Sequence, residues 1–185
     1  GSGPCPAEVR GFESLPLHKI YNKTKEFMPV MKIKVTSPSF NDGDWIPKKH
    51  SARGEDISPC LRLEGIVNTA QSIAITLDDV SHPFFPNYNH WVIWNLPVQQ
   101  YIPEAIPRGK VIEELGGAIQ GRAYGKNRYK GPKPPLKTIH TYVFTIYILD
   151  SKIDLSPNSK KKDLIEKMDG HIQQMGTISG KFRSH

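Results

Sequence analysis

Ser72-Ile73-Ala74-Ile75-Thr76-Leu77-Asp78-Asp79 has the texture of a strand buried on both sides. Successive side chains of a strand point to opposite faces, so Ile73, Ile75 and Leu77 share one face. The same period carries Asp79 onto that face, while Asp78 falls with Ala74 and Thr76. A carboxylate closing an apolar face needs a partner or a solvated hollow, because burying a polar group without hydrogen bonds costs about 1–3 kcal/mol. Asp79 is therefore the first residue to explain.

Two further segments extend the pattern. Residues 91–96 and 142–149 are apolar on both faces, as central strands of a covered sheet are. His90 opens the first of them in phase with Val92, Trp94 and Leu96. The ten residues between Asp79 and His90 suffice to turn the chain back antiparallel, so that the two meet at one sheet edge. His140 and Tyr142 stand in phase with Phe144, Ile146 and Ile148 at the start of the third strand. Four polar groups are thus expected at strand ends, where they either satisfy one another as a structural network or converge on a cavity.

The flanking sequence is less regular. Residues 32–36 alternate as a half-buried strand does, residues 37–57 are rich in turn formers, and residues 97–139 read mostly as loop. Near the C-terminus Leu164, Ile165, Met168, Ile172 and Met175 recur at three- and four-residue steps. Ser156-Pro157-Asn158 before them and Gly176 after them predict an amphipathic helix of about four or five turns. Residues 1–31 show no sustained period and read as an N-terminal arm, with Gly1-Ser2-Gly3 as an expression scar. The remainder, 32–185, fits one mainly β domain: 185 residues, 37% hydrophobic, suffice for one core and leave little for a second.

Composition narrows the function classes. No window reaches the roughly 18 consecutive apolar residues of a membrane-spanning helix. Cys5 and Cys60 are too few and too distant for a disulfide framework, so a reducing, cytoplasmic setting is expected. Neither His-Glu-x-x-His nor Cys-x-x-Cys is present, and no metal or cofactor is expected. The net charge of +7 favours acidic partners.

Several short motifs occur in a fixed order. Ser37-Pro38-Ser39-Phe40-Asn41-Asp42-Gly43 is followed by Ile46-Pro47 and Asp56-Ile57-Ser58-Pro59. Asp79-Val80-Ser81-His82-Pro83, His90-Trp91, Gly131-Pro132-Lys133-Pro134-Pro135 and His140-Thr141-Tyr142 come next. In order and spacing the chain resembles the bacterial and archaeal branch of the phosphatidylethanolamine-binding family, related to Raf-kinase inhibitor proteins. The resemblance spans about residues 32–183. It implies a large central antiparallel sheet packed with a smaller sheet and a C-terminal helix near the mouth of a pocket. It also implies that Asp79, Pro83, His90, Gly131, Pro134, Pro135, His140 and Tyr142 line that pocket. The chain departs from the family pattern at Ser81, where a second aspartate is usual, and at Thr141, where arginine is usual.

The function implied is non-enzymatic binding of a phosphate-like anionic group, a phospholipid headgroup or phosphorylated ligand, with regulation of a partner such as a kinase or protease. In that scheme Asp79 accepts a hydrogen bond from one nitrogen of His90 and favours its charged form, while the other nitrogen, the Tyr142 hydroxyl and free N–H groups near residues 131–135 face the anion.

Two alternatives stand beside it. Asp79, His90 and Ser81 are residue types of a hydrolase, although no Gly-x-Ser-x-Gly elbow surrounds Ser81. Arg122, Lys126, Arg128, Lys130, Lys133 and Lys137 with Tyr124 and Tyr129 interleaved suit a single-stranded nucleic acid, the less expected partner. Lys160-Lys161-Lys162 at the helix start opposes the helix dipole, a cost that peripheral contact with an anionic membrane would offset.

Overall fold

The computed structural model describes residues 29–184. Most of the expected arm, the scar and Cys5 lie outside them. Ten strands and one α-helix follow in chain order: β1 Met31–Lys32, β2 Lys34–Thr36, β3 Leu61–Glu64, β4 Ser72–Asp79, β5 Tyr88–Leu96, β6 Tyr101–Ile102, β7 Val111–Ile112, β8 Ala118–Gln120, β9 Ile139–Leu149, α1 Lys161–Met168 and β10 Ile172–Arg183. A seven-stranded sheet has the order β1-β10-β9-β4-β5-β8-β7, and a three-stranded sheet the order β2-β3-β6. All pairings are antiparallel except β1 with β10. The chain is mainly β, as expected, with a large sheet, a smaller one and a helix.

The central strands are apolar on both sides because both sides are covered. Ile73, Ile75, Leu77, Trp91, Ile93, Phe144, Ile146 and Ile148 pack toward Val35, Leu61, Leu63 and Ile102 of the small sheet. Ala74, Val92, Trp94, Tyr147 and Leu149 pack on the opposite side against Leu164 and Met168 of α1.

The helix is shorter than its sequence period suggests. It stops at Met168, Gly170 turns the chain at φ +73°, and Ile172 and Met175 belong to β10, the longest strand. Its start is arranged locally. The Asp163 carboxylate accepts the Lys160 backbone N–H at 2.7 Å and sets a negative charge in the first turn, offsetting the lysine run. Lys161 is also engaged, its Nζ lying 2.6 Å from Asp78 Oδ2. Residues 32–36 are divided between the sheets, and residues 97–139 contribute three short strands, β6, β7 and β8.

Candidate anion-binding site

The site lies where β4 ends and β5 and β9 begin. In the β4–β9 register Asp79 faces Tyr142, which brings His140 two residues away onto the same side. His90 arrives by a different route. Leu77 pairs with Trp91 and Asp78 with Asn89, so His90 is the extra residue of a β-bulge. The bulge interrupts the period of two and turns His90 away from Val92 and Trp94, which pack under α1. His90 instead shares a cavity with Asp79 and Tyr142. A second register shift, between Ile73 and Ile75, likewise moves Leu96 to the small-sheet side. The sequence phase of His90 with Val92, Trp94 and Leu96 is corrected accordingly.

The cavity has a volume of about 380 Å³. Asp79, Pro83, His90, Pro134, Pro135, His140 and Tyr142 all line it, so the structure gathers seven of the eight expected residues. Gly131 stands behind the wall. Its N–H donates to Asp56 Oδ1 at 2.7 Å, so it is not free for a ligand.

The partner of Asp79 also differs from the sequence expectation. His140 Nδ1 donates to Asp79 Oδ2 at 2.6 Å, and the Ser81 backbone N–H donates to Oδ1 at 2.9 Å. Both carboxylate oxygens are therefore engaged, and the residue is only 2% exposed. His90 Nδ1 bonds instead to the Lys130 carbonyl at 2.9 Å. Burial pushes the His90 pKa below its usual value, a stronger effect than the opposing pull of the Lys130 carbonyl and the Asp79 charge. His90 is consequently neutral at pH 7, not cationic as the sequence scheme has it. With Nδ1 carrying the proton donated to Lys130, Nε2 presents a lone pair.

Tyr142 is buried and its hydroxyl makes no well-formed hydrogen bond, although the Lys133 backbone N–H and the Asp79 carboxylate are near enough to act on it. Burial, reinforced by the negative charge of Asp79, raises its pKa far above the usual phenol range, so the group is a neutral O–H donor. Its ring stands edge-on to His90, centroids 5.2 Å apart, and stacks with His140 at 6.5 Å. A buried hydroxyl without a well-formed hydrogen bond on a cavity wall is costly unless a ligand or water meets it.

Arg53, Lys133, His82, Phe84 and Tyr124 complete the lining and were not anticipated. Lys133 and His82 each sit inside a quoted motif, and their positions there were the available signal, while Tyr124 was named only as part of the basic and aromatic strip. Arg53 and Phe84 carry no mark in the sequence. Residues 80–103 and 115–149, which supply ten of the twelve lining residues, contain neither Asp nor Glu, and Arg53 and Lys133 bring positive charge to the lining. Asp79 is the one acidic residue of the lining. At the two departures from the family pattern, the Thr141 backbone N–H donates to the Ser81 hydroxyl at 2.9 Å, a neutral contact between positions where opposite charges are usual.

The model of the phosphatidylethanolamine-binding protein family matches residues 36–183, which include every residue of this cavity. The chain belongs to the phosphatidylethanolamine-binding protein family. It is 39% identical over 152 residues to a UPF0098 protein of Pyrococcus abyssi, covering 81% of this chain and 84% of that one. A second relative, a UPF0098 protein of Pyrococcus horikoshii, is 36% identical over 154 residues, 82% of this chain and 77% of the other. Among solved structures, a homologue of the family from Chlamydia trachomatis superposes with a TM-score of 0.73 at 30% identity, covering 83% of this chain and 99% of that one. Escherichia coli YbcL, a family member at 24% identity, shares the fold with a TM-score of 0.75, over 83% of this chain and 99% of its own.

Features proposed for other chemistries are engaged elsewhere in this family member. Tyr129 is 3% exposed and donates its hydroxyl to the His50 carbonyl at 2.7 Å, while Lys130 and Arg128 reach Asp56 at 2.9 and 3.5 Å. Tyr129, Lys130 and Arg128 are thereby withdrawn from the aromatic and basic strip seen in sequence, while Tyr124 stays exposed. Among the described residues no group of three or more His, Cys, Asp or Glu side chains is placed to hold a metal ion, and no helix is long and apolar enough to cross a membrane.

Proposed function

We propose that the cavity binds a small phosphate-like anion, a phospholipid headgroup or the phosphate of a phosphorylated ligand, and releases it unchanged. The observation that carries this is the Tyr142 hydroxyl, without a well-formed hydrogen bond, on the wall of a hollow whose only carboxylate is already held by His140, with Arg53 and Lys133 on the same lining. With both its oxygens engaged, Asp79 organises the site rather than facing the ligand. Tyr142 donates to the anion, Arg53 and Lys133 supply opposite charge, and His90 takes up a proton at Nε2 to become a second donor. Among the described residues no histidine is hydrogen-bonded to the Ser81 hydroxyl, which accepts the Thr141 N–H, and this supports binding over hydrolysis. A few charge-assisted hydrogen bonds, less the cost of association, correspond to micromolar to millimolar affinity.

Calorimetric titration with phosphate and O-phosphoethanolamine tests the assignment. His90→Ala is expected to weaken binding about 10- to 100-fold, the worth of one hydrogen bond to a charged group. Sulfate, which does not titrate near neutrality, isolates the pH effect. The free-state pKa of His90 lies below 6.5, and a bound anion favours the protonated ring, so the pKa in the complex is higher. Sulfate affinity therefore rises as pH falls through the window between the complex and free values, and levels off below the free value. A flat profile, together with unchanged affinity in His90→Ala, would remove His90 from the site.

A further inference from the structure

A larger cavity, of about 680 Å³, adjoins the first, and Arg53 and Lys133 line both. Its apolar surface comes from Trp45, Ile46 and Phe182. Lys48 and Arg183 add further positive charge, and no lining residue is acidic. Trp45 is the unusual member. It is 53% exposed, whereas Trp91 and Trp94 are 1% and 0% exposed in the core. Its backbone is held in place, because Trp45 bridges to Lys181 and the Ile46 N–H donates to the Lys181 carbonyl at 2.8 Å. The indole is flanked by Lys181 Nζ and the Arg183 guanidinium, 5.8 and 6.0 Å from the ring centroid. An exposed indole anchored by its backbone, bordered by cations and continuous with an anion cavity, is suited to receive a flat or apolar group attached to an anion.

We propose that the two cavities act as one bipartite site for a phosphate monoester with an apolar substituent. The phosphate lies with His90 and Tyr142, Arg53 and Lys133 span the ester end, and the substituent lies on Trp45 and Ile46. This rests on the anion assignment for the smaller cavity. It adds a ligand class, because inorganic phosphate would fill only half of the site. Removing roughly 60 Å² of apolar ligand surface from water corresponds to about a tenfold gain in affinity.

The test compares inorganic phosphate, hexyl phosphate and 1-naphthyl phosphate by calorimetry on the unmutated chain and on Trp45→Ala. Emission of Trp45, the one exposed tryptophan of three, is followed in parallel. Both esters are expected to bind about tenfold tighter than phosphate and to perturb the exposed indole. Trp45→Ala should lose the gain while keeping its phosphate affinity, which also reports that the variant is folded. A naphthyl ester tighter than the hexyl ester identifies ring stacking as the source, and equal esters identify simple burial. Either pattern supports the bipartite site. Esters no tighter than phosphate, or a gain that survives Trp45→Ala with unchanged emission, overturn it and leave the anion cavity standing. Failure of phosphate and both esters to bind the unmutated chain overturns both proposals.

Discussion

Gly131→Ala is expected to destabilise the chain by about 3 kcal/mol or more and to abolish anion binding wherever the variant still folds. A Cβ at this position would stand 2.1 Å from the His50 carbonyl oxygen and 2.8 Å from the Ser51 Cα. These are backbone atoms, so no side-chain rotation relieves the overlap. The neighbourhood is also fixed on several sides. The Gly131 N–H is held by Asp56, the Tyr129 hydroxyl donates to the same His50 carbonyl, and His90 is bonded to the Lys130 carbonyl one residue earlier. Pushing Gly131 outward therefore moves the hydrogen-bond anchor of His90. Denaturant unfolding measures the loss. Gly43→Ala serves as the comparison, because Gly43 has φ +80° with open space around it and an added methyl there costs only backbone strain, about 1–2 kcal/mol. Equal losses in the two variants would show that the close approach at Gly131 is easily relieved.

His140→Ala is expected to cost about 3 kcal/mol, the upper end of the cost of leaving a buried acceptor without its donor and the end that fits a carboxylate. Asp79 would lose its shortest hydrogen bond, keep the Ser81 N–H, and remain a buried carboxylate. That charge would also face the anion, so phosphate affinity should fall along with stability. Asp79→Asn in the same background removes the charge and should recover much of the stability. A double-mutant cycle over the two positions is expected to return a coupling above about 2 kcal/mol. Coupling below about 0.5 kcal/mol would mean that the pair is not the organising contact of the cavity.

Both predictions depend on contacts whose residues were recognisable in the sequence but whose partners were not. The apolar texture of β4, β5 and β9 identified the central strands, and the placement of Asp79, His140 and Tyr142 on one face followed from the period of two. That period holds only while the ladder is regular. At His90 a bulge inserts one residue, and a bulge leaves no reliable trace in a run such as Tyr88-Asn89-His90-Trp91. The partner of Asp79 was missed for another reason: it depends on the β4–β9 register, which sets Asp79 opposite Tyr142 and so beside His140.

The C-terminal helix was extended too far for a related reason. Ile172 and Met175 continue a helical spacing by coincidence, while β10 hides its alternation. The buried positions of β10 are Gln174, Ile178, Gly180 and Phe182, and two of these four are not large apolar residues. Gly180 is small because Ile46 occupies the space above it, 2.4 Å from where a Cβ would stand. Such a strand is legible only once its neighbour is known. Arg53 and Trp45 were missed because they stand in a turn-rich segment whose position beside β10 depends on that same strand.

Arsenate supplies the most direct test of the anion cavity, since it resembles phosphate and its arsenic atom can be located by anomalous scattering. In crystals grown with arsenate, a peak is expected within about 4 Å of the Tyr142 hydroxyl oxygen, between it and His90, and it should vanish in Tyr142→Phe, His90→Ala crystals. A hollow without arsenic, or a peak there that persists undiminished in the double variant, would contradict the assignment.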